Sequence, residues 1–143
     1  DGNPNGFKFG SKFTTSDSTR TVKDCIAFNN GQKGFDENNS KATIDMENTI
    51  AFDNGFKGKK GQNGNSNYRM ELMNIQQFDN CFGFNGAIED FLPDGKTVIT
   101  PDSSVQDAVR NATTALSDSL QQSIREDKIP GMVWFNDIFA LTK

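Results

Sequence analysis

Ile26-Ala27-Phe28-Asn29-Asn30-Gly31 returns 24 residues later as Ile50-Ala51-Phe52-Asp53-Asn54-Gly55, and more loosely as Gln76-Gln77-Phe78-Asp79-Asn80-Cys81. Aligned on the phenylalanines, Val22, Met46 and Leu72 fall in one column. Asp24, Asn48 and Asn74 fall in a second, and Asn30, Asn54 and Asn80 in a third. A second comb, Gly6-Phe7-Lys8 and then Gly34-Phe35-Asp36, has a spacing of 28 and falls in the gaps of the first. Each apolar run is too short for a helix and ends in Asn or Gly. A period in the mid-twenties built from such runs predicts a solenoid of β-coils. Equivalent residues then stack at the strand spacing of about 4.8 Å. Apolar columns form the interior and Asn columns form amide ladders at bends, because Asn tolerates the left-handed backbone conformation and bonds its own neighbours. A β-sandwich with irregular hairpins does not require the same column order three times.

Composition divides the chain. Fourteen of 16 Asn and 11 of 13 Gly lie within residues 1–86. The expected organisation is three to four coils over 1–92 and a helical or irregular cap over 93–143, since the last coil of a solenoid needs a cover. In that cap Val105, Val109, Ala112, Leu116, Leu120 and Ile124 follow three- and four-residue steps, which predicts an amphipathic helix ended before Pro130-Gly131. Ser103 and Gln106 have capping-box spacing. The run Met132-Val133-Trp134-Phe135 with Ile138-Phe139 is expected to pack on the coils. The polar opening Asp1–Asn5 runs straight into a coil, so the chain reads as the C-terminal part of something longer.

Several chemistries are excluded. The chain has no histidine, so Ser-His-Asp and Cys-His machinery and imidazole metal sites are out, and a metal would be a hard, oxygen-ligated one. A net charge of −4 with interspersed signs argues against a nucleic-acid backbone binder, Lys57-Gly58-Lys59-Lys60 being a local exception. No apolar run approaches the roughly 20 residues of a membrane span, and no signal segment opens the chain. Cys25 and Cys81 permit one disulfide, but burial as free thiols is the default for cysteine.

Asn5-Gly6-Phe7-Lys8-Phe9-Gly10, then Thr21-Val22-Lys23-Asp24-Cys25-Ile26-Ala27-Phe28, then Lys33-Gly34-Phe35-Asp36-Glu37-Asn38 resemble the end of the catalytic solenoid of polysaccharide lyase family nine. These are pectate lyases with a right-handed parallel β-helix. The similarity covers roughly residues 1–90, and the tail only through Arg125-Glu126-Asp127 and Ile129-Pro130. The resemblance implies calcium-assisted β-elimination on pectate or another polyuronate in an exported protein, and the chain is expected to be a monomer. Lys8 matches the family's base in an Asn-Gly-Phe-Lys-Leu-Gly-Gly segment, with Phe9 in place of the Leu and Ser11 in place of the second Gly. The family's calcium-binding aspartates belong to coils before the lysine, and the isolated chain is therefore expected to be weak or inactive. If the columns hold, Asp36 lies one coil beyond Lys8, an acidic neighbour that opposes a base role unless calcium stands on the other side. Lys33, Lys57, Lys59, Lys60 and Arg69 are candidates for a groove contacting uronate carboxylates. A non-catalytic β-helix module binding acidic polysaccharide and a structural solenoid fragment are the alternatives. A polygalacturonase-type hydrolase is disfavoured, since its Gly-His-Gly motif is absent.

Overall fold

The computed structural model describes residues 5–15, 17–56, 65–126 and 133–143, apart from the side chains of 123–125 and 133–136. Two compact units emerge, Asp1–Thr100 and Pro101–Lys143. The first unit alternates short and long strands: β1 (Phe7–Lys8), β2 (Thr19–Phe28), β3 (Phe35–Asp36), β4 (Thr43–Phe52), β5 (Tyr68–Arg69) and β6 (Asn74–Phe84). The short strands form one parallel sheet in the order β1-β3-β5, and the long ones a second in the order β2-β4-β6. The chain thus passes from the short sheet to the long one three times and returns twice.

The first long step is the one the repeat predicts. Val22 pairs with Met46 and Phe28 with Phe52, 24 residues apart. The second step corrects the alignment: Phe84, not Phe78, stands beside Phe52, while Phe78 joins Val22 and Met46. Leu72 leaves its assigned column and is exposed. The interval grows to 32, partly through a bulge in register at Ile44/Asp45 that skips Gln76. The short comb holds its register, Phe7 on Phe35 and Lys8 on Asp36, and continues as Tyr68 and Arg69.

Aromatic stacks run along both sheets. Phe28, Phe52 and Phe84 stack at 5.5 and 4.9 Å, and Phe7, Phe35 and Tyr68 at 5.0 and 5.1 Å. Near-parallel rings at the strand spacing bury large apolar area. Ile44, Met46, Ile50 and Met70 complete a fully buried interior. The Tyr68 hydroxyl donates to the carbonyl of Phe82 at 2.9 Å and meets Thr49 Oγ1 at 3.0 Å, so its polar tip is satisfied inside the core.

Bends lie where two columns enter the left-handed region. Asp24, Asn48 and Asn80 have φ of 52, 51 and 52°, and Asn29, Asp53 and Asn85 have 52, 54 and 49°. Asn48 Nδ2 donates to Asp24 Oδ1, Asn80 Nδ2 to Asn48 Oδ1, and Asn85 Nδ2 to Asp53 Oδ1. Asn80 therefore belongs with Asn48 and Asn74 does not. A third amide ladder is internal: Asn30 Nδ2 donates to Asn54 Oδ1, Asn54 Nδ2 to Asn67 Oδ1, and Asn67 Nδ2 to the carbonyl of Phe84. Glycine makes room for it. A Cβ on Gly6 would stand 2.8 Å from Asn30 Nδ2, and one on Gly34 2.8 Å from Asn54 Nδ2.

The unit runs to Thr100, past the composition boundary at Pro93, where Ile99 bridges to Phe82 and exchanges backbone bonds with Cys81 and Gly83. In the second unit α1 (Ser103–Arg125) packs with α2 (Val133–Ala140). Val109, Thr113 and Leu116 are its buried face, at four- and three-residue spacing. The capping box does not form: the Gln106 amide N–H bonds the carbonyl of Asp102 at 2.9 Å, and Gln106 Nε2 bonds that of Pro101 at 2.8 Å. Asp102 is thus the residue at the N-cap. Pro130, Gly131 and Met132 lie outside the described residues. Both cysteines are free thiols, Cys81 buried. Among the described residues no helix is long and apolar enough to cross a membrane.

Candidate functional site

The outer face of the short sheet brings Lys8, Asp36 and Arg69 side by side, one from each strand. Alternation dictates this, since Phe7, Phe35 and Tyr68 point inward and the next residue must point out. The three are not equivalent. Lys8 is exposed, and no carboxylate pairs with it among the described residues.

Asp36 is 1% exposed and held by three donors. Lys33 Nζ lies 3.1 Å from Oδ1, the Asn38 amide N–H 3.0 Å from Oδ1, and Asn5 Nδ2 2.7 Å from Oδ2. A buried carboxylate needs such company. The acidic neighbour expected to engage Lys8 is therefore tied to Lys33, and Lys33 is committed as Asp36's counter-ion.

Arg69 is half-buried. Its Nη2 contacts Glu71 Oε1 at 2.7 Å, its guanidinium lies 4.6 Å over the Phe91 ring, and its Nη1 is buried without a partner. Lys57, Lys59 and Lys60 lie outside the described residues. The groove proposed for these cations is thus represented by Lys33 and Arg69, both already engaged.

Two carboxyls, Glu37 buried and Asp90 partly buried, give no signal in the sequence. Glu37 faces inward between Phe9 and Met70 in the strand alignment, and its Oε2 accepts the Leu72 amide N–H at 2.6 Å. Burial raises its pKa, against the opposing effect of that N–H bond and of Arg69. Asp90 accepts the Tyr68 amide N–H at 2.8 Å beside a 320 Å³ cleft lined also by Glu89, Leu92, Lys96, Thr97 and Val98. Burial pushes its carboxyl up to about 6, although N–H bonds from Tyr68 and Asn67 act the other way. Both acids satisfy main-chain donors, which assigns them to the scaffold.

No group of three or more Asp, Glu, Cys or His side chains among the described residues is arranged to hold a metal ion. These residues do not supply the ligand set that the resemblance requires for calcium. Comparison of the chain with family models, curated proteins and solved structures finds no match in any of the three.

Proposed function

We propose that the two parallel sheets are faces of a right-handed parallel β-helix, and that the chain is the lysine-bearing portion of a polysaccharide lyase acting on uronate polymers such as pectate. One observation carries the reading. Lys8 is exposed with no carboxylate partner among the described residues, on a sheet whose register holds the neighbouring Asp36 to other donors. What supports the β-helix reading is the strict alternation between two parallel sheets, with equivalent residues stacked column on column.

In β-elimination the unprotonated amine of Lys8 takes the C5 proton of a uronate. The C–H electron pair forms the C4–C5 double bond, and the C4–O bond breaks with its electrons leaving on oxygen, which takes a proton from water. Lysine suits this role because its basicity responds readily to its surroundings. The calcium implied by the resemblance has no ligand set in the described residues, so the part assigned to this chain is proton removal.

The test is the ultraviolet absorbance of the unsaturated product from polygalacturonate, with calcium titrated, for the parent protein that supplies the calcium-binding coils, as wild type and as Lys8→Ala. Loss of product in the variant, with polymer binding and melting temperature retained, supports the assignment. Product formation at the wild-type rate overturns it. A wild type that retains polygalacturonate yet forms no product is the non-catalytic binding module instead.

A further inference from the structure

The turn after β1 presents an aromatic ring to solvent. Phe13 is 81% exposed, the most of any large apolar side chain among the described residues. A lone exposed phenylalanine is ordinary. This one is held in place. The Thr14 amide N–H bonds the Ser11 carbonyl at 2.9 Å, the Ser11 amide N–H bonds Thr14 Oγ1 at 3.0 Å, and the Phe13 amide N–H bonds Ser11 Oγ at 3.2 Å. Asn38 Nδ2 ties the turn to the next pass of the chain through the Gly10 carbonyl, and the Lys41 amide N–H does so through Thr14. Gly10 has φ +136°, and a Cβ there would lie 2.6 Å from Thr14 Oγ1, so the fold-back depends on glycine.

A lysine lies against the ring. Lys12 Nζ sits 5.0 Å from its centroid. Lys8, Lys12 and Lys41 are all exposed, and none pairs with a carboxylate among the described residues. Residues 5–23 contain four basic side chains and one acid, in a chain whose net charge is −4.

We infer that the Ser11–Thr14 turn is a sugar-binding subsite, with Phe13 as the stacking platform for one uronate ring and Lys12 and Lys41 as partners for its carboxylate. This rests on the acidic-polysaccharide reading above and adds a specificity-determining element to it. The flat C–H face of a pyranose carries slight positive charge and is apolar, which suits the negative face of an aromatic ring. An ammonium beside that ring is placed for a carboxylate on the same sugar. Phe13 is five positions after Lys8, a backbone span of at most roughly 18 Å, so one extended polymer can span both. A single platform flanked by lysines favours one sugar ring over nucleic acid, where successive bases call for a row of aromatics.

The experiment is affinity electrophoresis of the wild type, Phe13→Ala, Phe13→Trp and Lys12→Ala/Lys41→Ala through gels containing polygalacturonate, neutral dextran or single-stranded poly(U). Thermal melts run alongside. Phe13→Ala is expected to melt with the wild type and to bind polygalacturonate about 5-fold more weakly, with Phe13→Trp restoring retention. The double lysine variant is expected to lose several-fold and to become less salt-sensitive. Equal retention of wild type and Phe13→Ala overturns the subsite while leaving the polysaccharide reading standing. A wild type not retained by polygalacturonate refutes that reading itself. Stronger retention by poly(U), lost in Phe13→Ala, reassigns the turn to nucleic acid and overturns the proposal.

Discussion

The two faces of the short sheet are built from adjacent residues and obey opposite rules. Inward, Phe7, Phe35 and Tyr68 repeat one solution, a ring on a ring, and leave only one hydroxyl to satisfy. Outward, Lys8, Asp36 and Arg69 each solve a different problem: one is free of acidic partners, one is buried and triply bonded, and one lies over an aromatic ring. Repetition marks the stacking that holds the fold, and departure from repetition marks the proposed site.

The contrast breaks most severely at the inner face. Phe35→Ala removes a fully buried ring from the middle of its stack and is expected to cost about 3–5 kcal/mol, measured by urea unfolding. An effect under 1 kcal/mol would mean that the stack does not carry the fold. Asp36→Ala comes next, at about 2 kcal/mol. It strands a buried-side lysine, but Lys33 keeps 18% of its side chain exposed and recovers part of its hydration. A loss matching that of Phe35→Ala would show that the outer column is structural too.

A smaller effect separates the scaffold acids from Lys8. Asp90 has its folded-state carboxyl raised to about 6 from 3.8. The folded state therefore holds this proton more tightly than the unfolded one. Its stabilising contribution is fullest below about pH 4 and is lost as pH rises through about 6. Glu37, also raised, acts in the same direction. The difference in melting temperature between wild type and Asp90→Asn should thus change between pH 4.5 and 7, and a constant difference would refute the assignment. The smallest stability effect is that of Lys8→Ala, expected within about 0.5 kcal/mol of wild type because the side chain is exposed.

Those ranks also show what the chain made legible. The β2-to-β4 step and the Gly-Phe comb were readable because identical residues recur where identical environments recur. The third pass departs from the repeat alignment because β6 carries two Phe-containing segments six residues apart, and the local match favours Phe78 over Phe84. Which phenylalanine stacks on Phe52 depends on how much chain the preceding turns absorb, a tertiary quantity. Asn67 was invisible for a related reason: it enters the internal ladder from the short sheet, out of step with the repeat that supplies Asn30 and Asn54. At the site, Lys8 and its register with Asp36 could be anticipated, but not Asp36's bonds to Asn5, Lys33 and Asn38. Glu37 and Asp90 acquire their main-chain donors, Leu72 and Tyr68, from neighbouring passes, and no local pattern announces it.

The internal amide ladder also governs how the molecule ages. Asn54-Gly55 is the kind of dipeptide whose side-chain amide is lost when the following backbone nitrogen attacks it. Here that nitrogen donates to the carbonyl of Asn30 at 2.9 Å, while Asn54 Nδ2 is held by Ala27 and Asn67. Neither reacting group is free to turn toward the other. Conversion to aspartate would set an acceptor against two acceptors at a position that is 0% exposed. The bonds that align the chain from one pass to the next therefore also slow its chemical decay, and deamidation at this site should report opening of the fold.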